Sequence, residues 1–67
     1  MTYATIISRH TKADPRLVEA IMRLNYSTLD HLSDDDFRRE AFIAEAMIAA
    51  EPDTCAALAD SMFGSQS

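Results

Sequence analysis

Residues 33–50, SDDDFRREAFIAEAMIAA, are the stretch of this sequence that decides the fold. Ser33 begins a capping box: its hydroxyl can accept a hydrogen bond from the backbone N–H three residues on, and Asp36 can reach back. The first turn, where the helix dipole favours negative charge, holds three consecutive carboxylates, Asp34, Asp35 and Asp36. Neither glycine nor proline interrupts the stretch before Pro52. The pattern predicts a helix over 34–50.

The apolar residues of this helix fall on three of its sides at about 100° per residue. One side carries Phe37, Ala41, Ala44 and Ile48, a second Phe42, Ala46 and Ala49, and a third Ile43 and Met47. A surface helix needs one apolar stripe, whereas a helix that is apolar nearly all round is buried on most sides. We therefore expect this helix to be central in the domain and to contribute to a subunit contact.

Start and stop signals on either side predict further helices. Asp14-Pro15 is a start signal, because aspartate caps and proline at the first helical position loses no needed donor. Glu51-Pro52 ends the central helix, and Gly64 stands where a left-handed C-cap belongs. We expect an all-α bundle of three to four short helices, at about 3–12, 15–25, 34–50 and 53–63.

Two further regions have less regular patterns, the N-terminal segment and the connection before residue 33. Tyr3, Thr5 and Ile7 alternate as in a strand, whereas a helix capped by Thr2 would also give this segment one apolar side. We favour the helix, because no second strand candidate exists to pair with it. In the connection before residue 33, Ser27 is an expected cap, and the tail 65–67 is expected to fray.

The length of 67 residues predicts one domain, 1–67, that is marginal alone. The single cysteine excludes an intrachain disulfide, and with only two histidines beside it we expect no zinc site and no other metal or cofactor. A partner subunit or unusually good helix packing remains as the way to stabilise so small a scaffold. We therefore expect a homodimer or another homo-oligomer.

The charge distribution is uneven. The net charge is −5, with +1 in the first 33 residues and −6 in the rest, which argues against broad binding to a phosphate backbone. The start of the sequence lacks the basic region of a signal peptide, and no apolar run approaches the roughly 20 residues that span a bilayer. A lone free cysteine suits a reducing interior. We expect a cytoplasmic protein that does not enter membranes.

Catalytic patterns are missing from the sequence. It has no glycine-rich phosphate loop, no HExxH and no CxxC. Cys55 lies in an alanine-rich segment without a predicted base, which is typical of a buried inert thiol. We expect no catalytic residues and no enzymatic activity.

The run ISRHTKADPRLVEAIM, residues 7–22, resembles the helix-turn-helix of bacterial repressors. Its apolar and small residues match that motif at Ile7, Ser8, Ala13, Val18 and Ile21. The resemblance implies that Asp14-Pro15 opens a recognition helix, with Lys12, Arg16 and Arg23 as candidate DNA contacts. Packing between two short helices accounts for the same residues.

In size, acidity and lack of cofactor chemistry the chain resembles the small proteins that phages and prophages encode to bind and disable host machinery. Acidic members of that group can occupy sites meant for nucleic acid. The resemblance implies that role for the acidic cluster, Asp34, Asp35, Asp36 and Glu40. The same cluster can equally serve to cap the helix and keep the protein soluble.

The main functional hypothesis is a non-enzymatic protein-binding module, a phage-type inhibitor or regulator that docks on a host protein. Apolar surface beyond what one small domain can cover marks an interface. The expected contact residues are Phe42, Ile43, Ala46 and Met47, with Tyr26, Met62 and Phe63 as alternates. Two other hypotheses remain: a small helix-turn-helix regulator that binds DNA, and a structural subunit or assembly factor.

Overall fold

The computed structural model describes residues 3–26 and 28–64, and across them it is helical and contains no strand. Its elements are α1 (Tyr3–Ser8), α2 (Pro15–Asn25), α3 (Asp34–Ala50) and α4 (Pro52–Phe63). They form a small bundle that measures 31 × 22 × 19 Å. The all-α prediction is confirmed. The caps expected at Thr2 and Ser27 and the tail 65–67 lie outside the described residues.

Helix α1 ends at Ser8, four residues before the end of the predicted helix 3–12. After Ser8, two backbone amides donate hydrogen bonds to carbonyls only three residues back, at 3.1 and 2.9 Å. The backbone is therefore more tightly wound there than in an α-helix. Thr11 is buried, and its Oγ1 accepts a hydrogen bond from the Ala13 amide at 3.1 Å. Such a bond competes with the helical backbone pattern, and it accompanies the turn before α2.

The helix starts follow the capping signals. Asp14 accepts from the Arg16 amide at 3.0 Å, and Ser33 accepts from the Asp36 amide at 3.2 Å. The reciprocal half of the capping box is replaced, because the Asp36 carboxylate accepts from Arg39 at 3.1 Å. Helix α4 begins at Pro52, one residue earlier than predicted, since proline suits the first helical position.

The central helix of the bundle is α2, and the expectation that 34–50 would be central is wrong. Helix α2 packs against each of the other three helices. Its buried residues point in several directions around the helix axis: Val18, Ala20, Ile21 and Met22. Helix α3 packs against α2 and α4 and buries a single stripe, Phe37, Ala41 and Ala44. The three helices around α2 leave no neighbour for the other sides of α3.

The core joins all four helices and the α2–α3 connection. Its buried members outside α2 and α3 include Ile7 from α1, Leu29 from the connection and Cys55 from α4. Ile48 and Leu32 pack against the core from its margin. The Cys55 side chain is 3% exposed, in agreement with a buried thiol.

Gly64 follows the last turn of α4 with φ 78° and ψ 160°. The positive φ agrees with the expected glycine C-cap. The ψ value lies far from that of a left-handed helical residue, so the backbone leaves the helix in an extended direction. A residue with a side chain would be strained at this φ.

Candidate functional site

Helix α3 has two apolar sides with opposite environments. Towards the bundle it buries Ala41 and Ala44 completely and Phe37 almost completely. On the opposite side, its C-terminal half presents exposed apolar residues, which we call the outer face: Phe42, Ile43, Ala46, Met47, Ala49 and Ala50. The 100° spacing places these six residues on roughly 160° of the helix surface.

The exposure of the large residues on the outer face is considerable. Phe42 is 70% exposed, Ile43 45% and Met47 44%. The alanines between them are exposed as well, so no other part of the described chain covers the face. The four contact residues expected from the sequence are therefore brought together on one accessible surface.

The three alternate contact residues lie elsewhere and differ among themselves. The half-buried Tyr26 donates its hydroxyl proton to the Glu40 carboxylate at 2.9 Å. Phe63 lies under the Arg16 guanidinium, with 6.0 Å between the guanidinium carbon and the ring centre. Met62 is exposed on α4. Tyr26 and Phe63 thus have partners within the chain.

The acidic cluster does not act as one group. Asp34 and Asp35 are exposed at the start of α3, and Asp36 holds Arg39. Glu40 is half-buried and accepts the Tyr26 hydrogen bond, which joins α3 to the end of α2. The three aspartates lie in the first turn of α3, whose N-cap is Ser33, whereas Glu40 belongs to a contact between helices.

The candidate DNA contacts are largely engaged within the bundle. Arg16 forms an ion pair with Asp60 at 2.8 Å and donates to the Gly64 carbonyl at 2.7 Å. Its guanidinium therefore joins α2 to the C-terminal end of α4. Arg23 pairs with Glu19 at 2.8 Å, and its guanidinium lies 5.5 Å from the Tyr3 ring centre. The Lys12 side chain is exposed. Sequence reasoning did not identify the role of Arg16, because its partner lies 44 residues away.

Two further features lie outside what the sequence pattern predicts. Leu24, in the last turn of α2, is 59% exposed. The Thr11 hydroxyl donates to the Glu45 carboxylate, which ties the α1–α2 turn to α3. No local pattern signals a bond between residues 34 positions apart.

Two tyrosines have a raised pKa. For Tyr26, the hydrogen bond to Glu40 is the main cause, followed by partial burial and by the negative charge of Glu40, and these hold its pKa above the usual 10.0. The pKa of Tyr3 is raised in the same way, first by its hydrogen bond to Asp30. Both phenols act as donors to carboxylates, which is a structural use of the group.

An open pocket of about 300 Å³ is lined by Ala4, Arg16, Glu19 and Phe63, but its two charged groups are already paired with other side chains. In residues 3–26 and 28–64, no group of three or more His, Cys, Asp or Glu side chains is placed to hold a metal ion. The pocket therefore suggests no reaction.

Within the described segments, none of the helices combines the length and apolar character needed to cross a bilayer. Comparisons with protein-family models, curated proteins and solved structures find no match to this chain. The outer face of α3 is therefore the feature of the molecule that bears most directly on function.

Proposed function

We propose that this chain is a non-enzymatic protein-binding module that docks on its partner through the outer face of α3. The observation that supports this most is the exposure of Phe42, Ile43 and Met47 on one side of a helix whose other side is fully packed. Contiguous exposed apolar surface of this kind is typical of interaction sites.

Leaving these groups in water costs free energy. Burying a large apolar side chain contributes about 1.5–3 kcal/mol relative to leaving it exposed. The bundle forgoes most of that contribution at Phe42 and nearly half of it at Ile43 and Met47, although the core of a domain this small supplies only about 3–5 kcal/mol. A partner that covers Phe42, Ile43 and Met47 would recover it as binding free energy.

Two classes of protein are compatible with this surface on a small acidic chain. A phage-type inhibitor or regulator that covers a host protein would need one docking surface and no catalytic group. A structural subunit or assembly factor would use the outer face in the same way. Co-purification from the native cell separates these two roles, because a subunit is recovered in a stable assembly.

The experiment compares Phe42→Asp and Met47→Asp with the wild-type chain in an affinity pull-down read by mass spectrometry. We expect both variants to keep the helicity of the wild type, because the altered side chains are exposed, and to lose the specific partner. Light scattering on the same samples reports self-association through the face.

Leu24→Asp is the matched control, because Leu24 is exposed to a similar extent and lies on α2. This variant should retain the partner. Recovery of the same proteins by wild type and by both α3 variants, with unchanged masses in light scattering, would refute the proposal.

The DNA-binding alternative is tested separately. Arg16→Ala and Arg23→Ala should weaken DNA binding, and the binding should fall steeply with salt. The ion pairs of both arginines support this alternative less well than an unpaired basic surface would. If low-salt titrations show no DNA binding, this alternative is excluded.

A further inference from the structure

The charges around the outer face are predominantly negative. Five carboxylates lie at its two ends: Asp34, Asp35 and Asp36 before it, and Glu51 and Asp53 after it. Two guanidinium groups, Arg38 and Arg39, accompany them, which leaves a net charge of −3, and Arg39 is bound to Asp36. The last turn of α3 contains no basic residue.

The C-terminal end of α3 adds to this negative potential. The aligned peptide dipoles place about half a negative charge at the end of a helix, and Glu51 and Asp53 follow directly. The C-terminal end of the outer face therefore favours cationic groups, whereas Arg38 and Arg39 lie next to its N-terminal end. The middle of the face, from Phe42 to Ala50, is apolar over about 12 Å.

From this juxtaposition we propose that the partner of the outer face is a basic amphipathic helix, with an apolar stripe for the face and lysine or arginine on either side of that stripe. The inference rests on the proposed function and names the chemistry of its partner. Ala46, in the middle of the face, offers no bulk, so a second helix can pack closely between Phe42 and Met47.

A second copy of this chain fits the face less well. Packed in parallel, it would bring like ends together, and in either orientation each chain carries a net charge of −5. Like charges brought together at an interface oppose association. A basic helix instead gains attraction at the C-terminal end of the face and from the net negative charge of the chain.

The test uses a labelled synthetic helix of about 18 residues, with leucine at the i, i+3, i+4 and i+7 positions and lysine elsewhere. Its counterpart replaces every lysine with glutamate. Fluorescence anisotropy with the full chain should show binding of the lysine peptide and at least tenfold weaker binding of the glutamate peptide. Binding should weaken between about 0.01 M and 0.15 M salt, as the Debye length falls from roughly 30 to 8 Å.

Phe42→Asp separates docking on the face from general attraction to an acidic protein. The variant adds a negative charge, so general attraction would make it bind the lysine peptide more tightly than wild type does. We expect at least tenfold weaker binding, whereas Leu24→Asp, which adds the same charge on α2, should bind at least as well as wild type.

Three outcomes would overturn the inference. They are equal or tighter binding of the lysine peptide by Phe42→Asp, no preference for lysine over glutamate, and a wild-type dimer in light scattering that Phe42→Asp dissociates. The last would assign the face to a second copy. The pull-down comparison tests the proposed function independently, so a protein partner lost in Phe42→Asp would support docking there even when the lysine peptide does not bind.

Discussion

Helix α2 and helix α3 each carry apolar residues on several sides, and in α2 the other described helices cover nearly all of them, with Leu24 in its last turn as the exposed exception. Three helices surround α2, so Val18 and Ala20, on different sides of it, are both fully buried. Helix α3 has neighbours on one side, and its outer face is exposed. Periodicity thus shows how many sides of a helix are apolar, but it does not show which of those sides the same chain buries.

The largest expected difference in stability is between two variants that carry the same change, methionine to aspartate, one on each helix. Met22 in α2 is 1% exposed and Met47 in α3 is 44% exposed. Met22→Asp buries an unpaired carboxylate and should cost about 4 kcal/mol or more, enough to unfold a domain of this size. Met47→Asp should cost only about 1 kcal/mol, because aspartate has a lower helix propensity than methionine and a carboxylate is unfavourable in the last turn of α3.

Far-UV circular dichroism and urea denaturation measure both variants. Equal loss of helicity in the two would mean that Met47 is part of the monomer core. The comparison between α2 and the outer face would then no longer hold.

A smaller effect is expected from two alanines on opposite sides of α3. Ala44 is fully buried and Ala46 is exposed. Ala44→Leu inserts volume into the close contact with the bundle and should cost about 1–3 kcal/mol. Ala46→Leu should leave the urea midpoint within the range of a neutral surface change, about 0.5 kcal/mol.

This pair compares the inner and outer sides of a single helix. Leucine is also a good helix former, so the change in helix propensity is nearly the same at both positions and the difference reports packing. A lower midpoint for Ala46→Leu than for Ala44→Leu would reverse the assignment of the inner and outer sides.

The smallest effect concerns the hydrogen bond that joins the end of α2 to α3. Because the pKa of Tyr26 is raised, chiefly by its hydrogen bond to Glu40, the stability it contributes is present below pH 10.0 and is lost as pH rises through the raised pKa. Glu40→Gln should lower the pKa of Tyr26 towards 10.0.

Ultraviolet absorbance of tyrosinate follows this titration, and Tyr3→Phe simplifies it by removing the other tyrosine. The Tyr3→Phe chain is then compared with the Tyr3→Phe, Glu40→Gln chain. Identical titration curves for the two would show that Glu40 does not perturb Tyr26 in solution.

Local signals in the sequence were sufficient for most of the fold. Asp14, Pro15 and Ser33 act within a few residues of their own position, and the structure confirms the helix starts they predicted. The stripe of Phe37, Ala41 and Ala44 is likewise an internal property of one helix, and it is buried as expected.

The features that could not be predicted depend on distant partners. The early end of α1 accompanies the burial of Thr11, whose hydroxyl reaches Glu45 on α3. The helix-turn-helix alternative makes Arg16 a candidate DNA contact, and its partners at the end of α4 cannot be read from residues 7–22. The exposure of Phe42 was part of the interface prediction, but its position on a peripheral helix was not.

The buried sulfur of Cys55 gives this molecule a built-in reporter of its own opening. It is the only thiol in the sequence and is 3% exposed, so a thiol reagent reaches it when α4 separates from the bundle or the whole chain unfolds. The labelling rate then measures how often that opening occurs. A ligand that binds only the folded bundle should slow the labelling, without any dye on the surface that it covers.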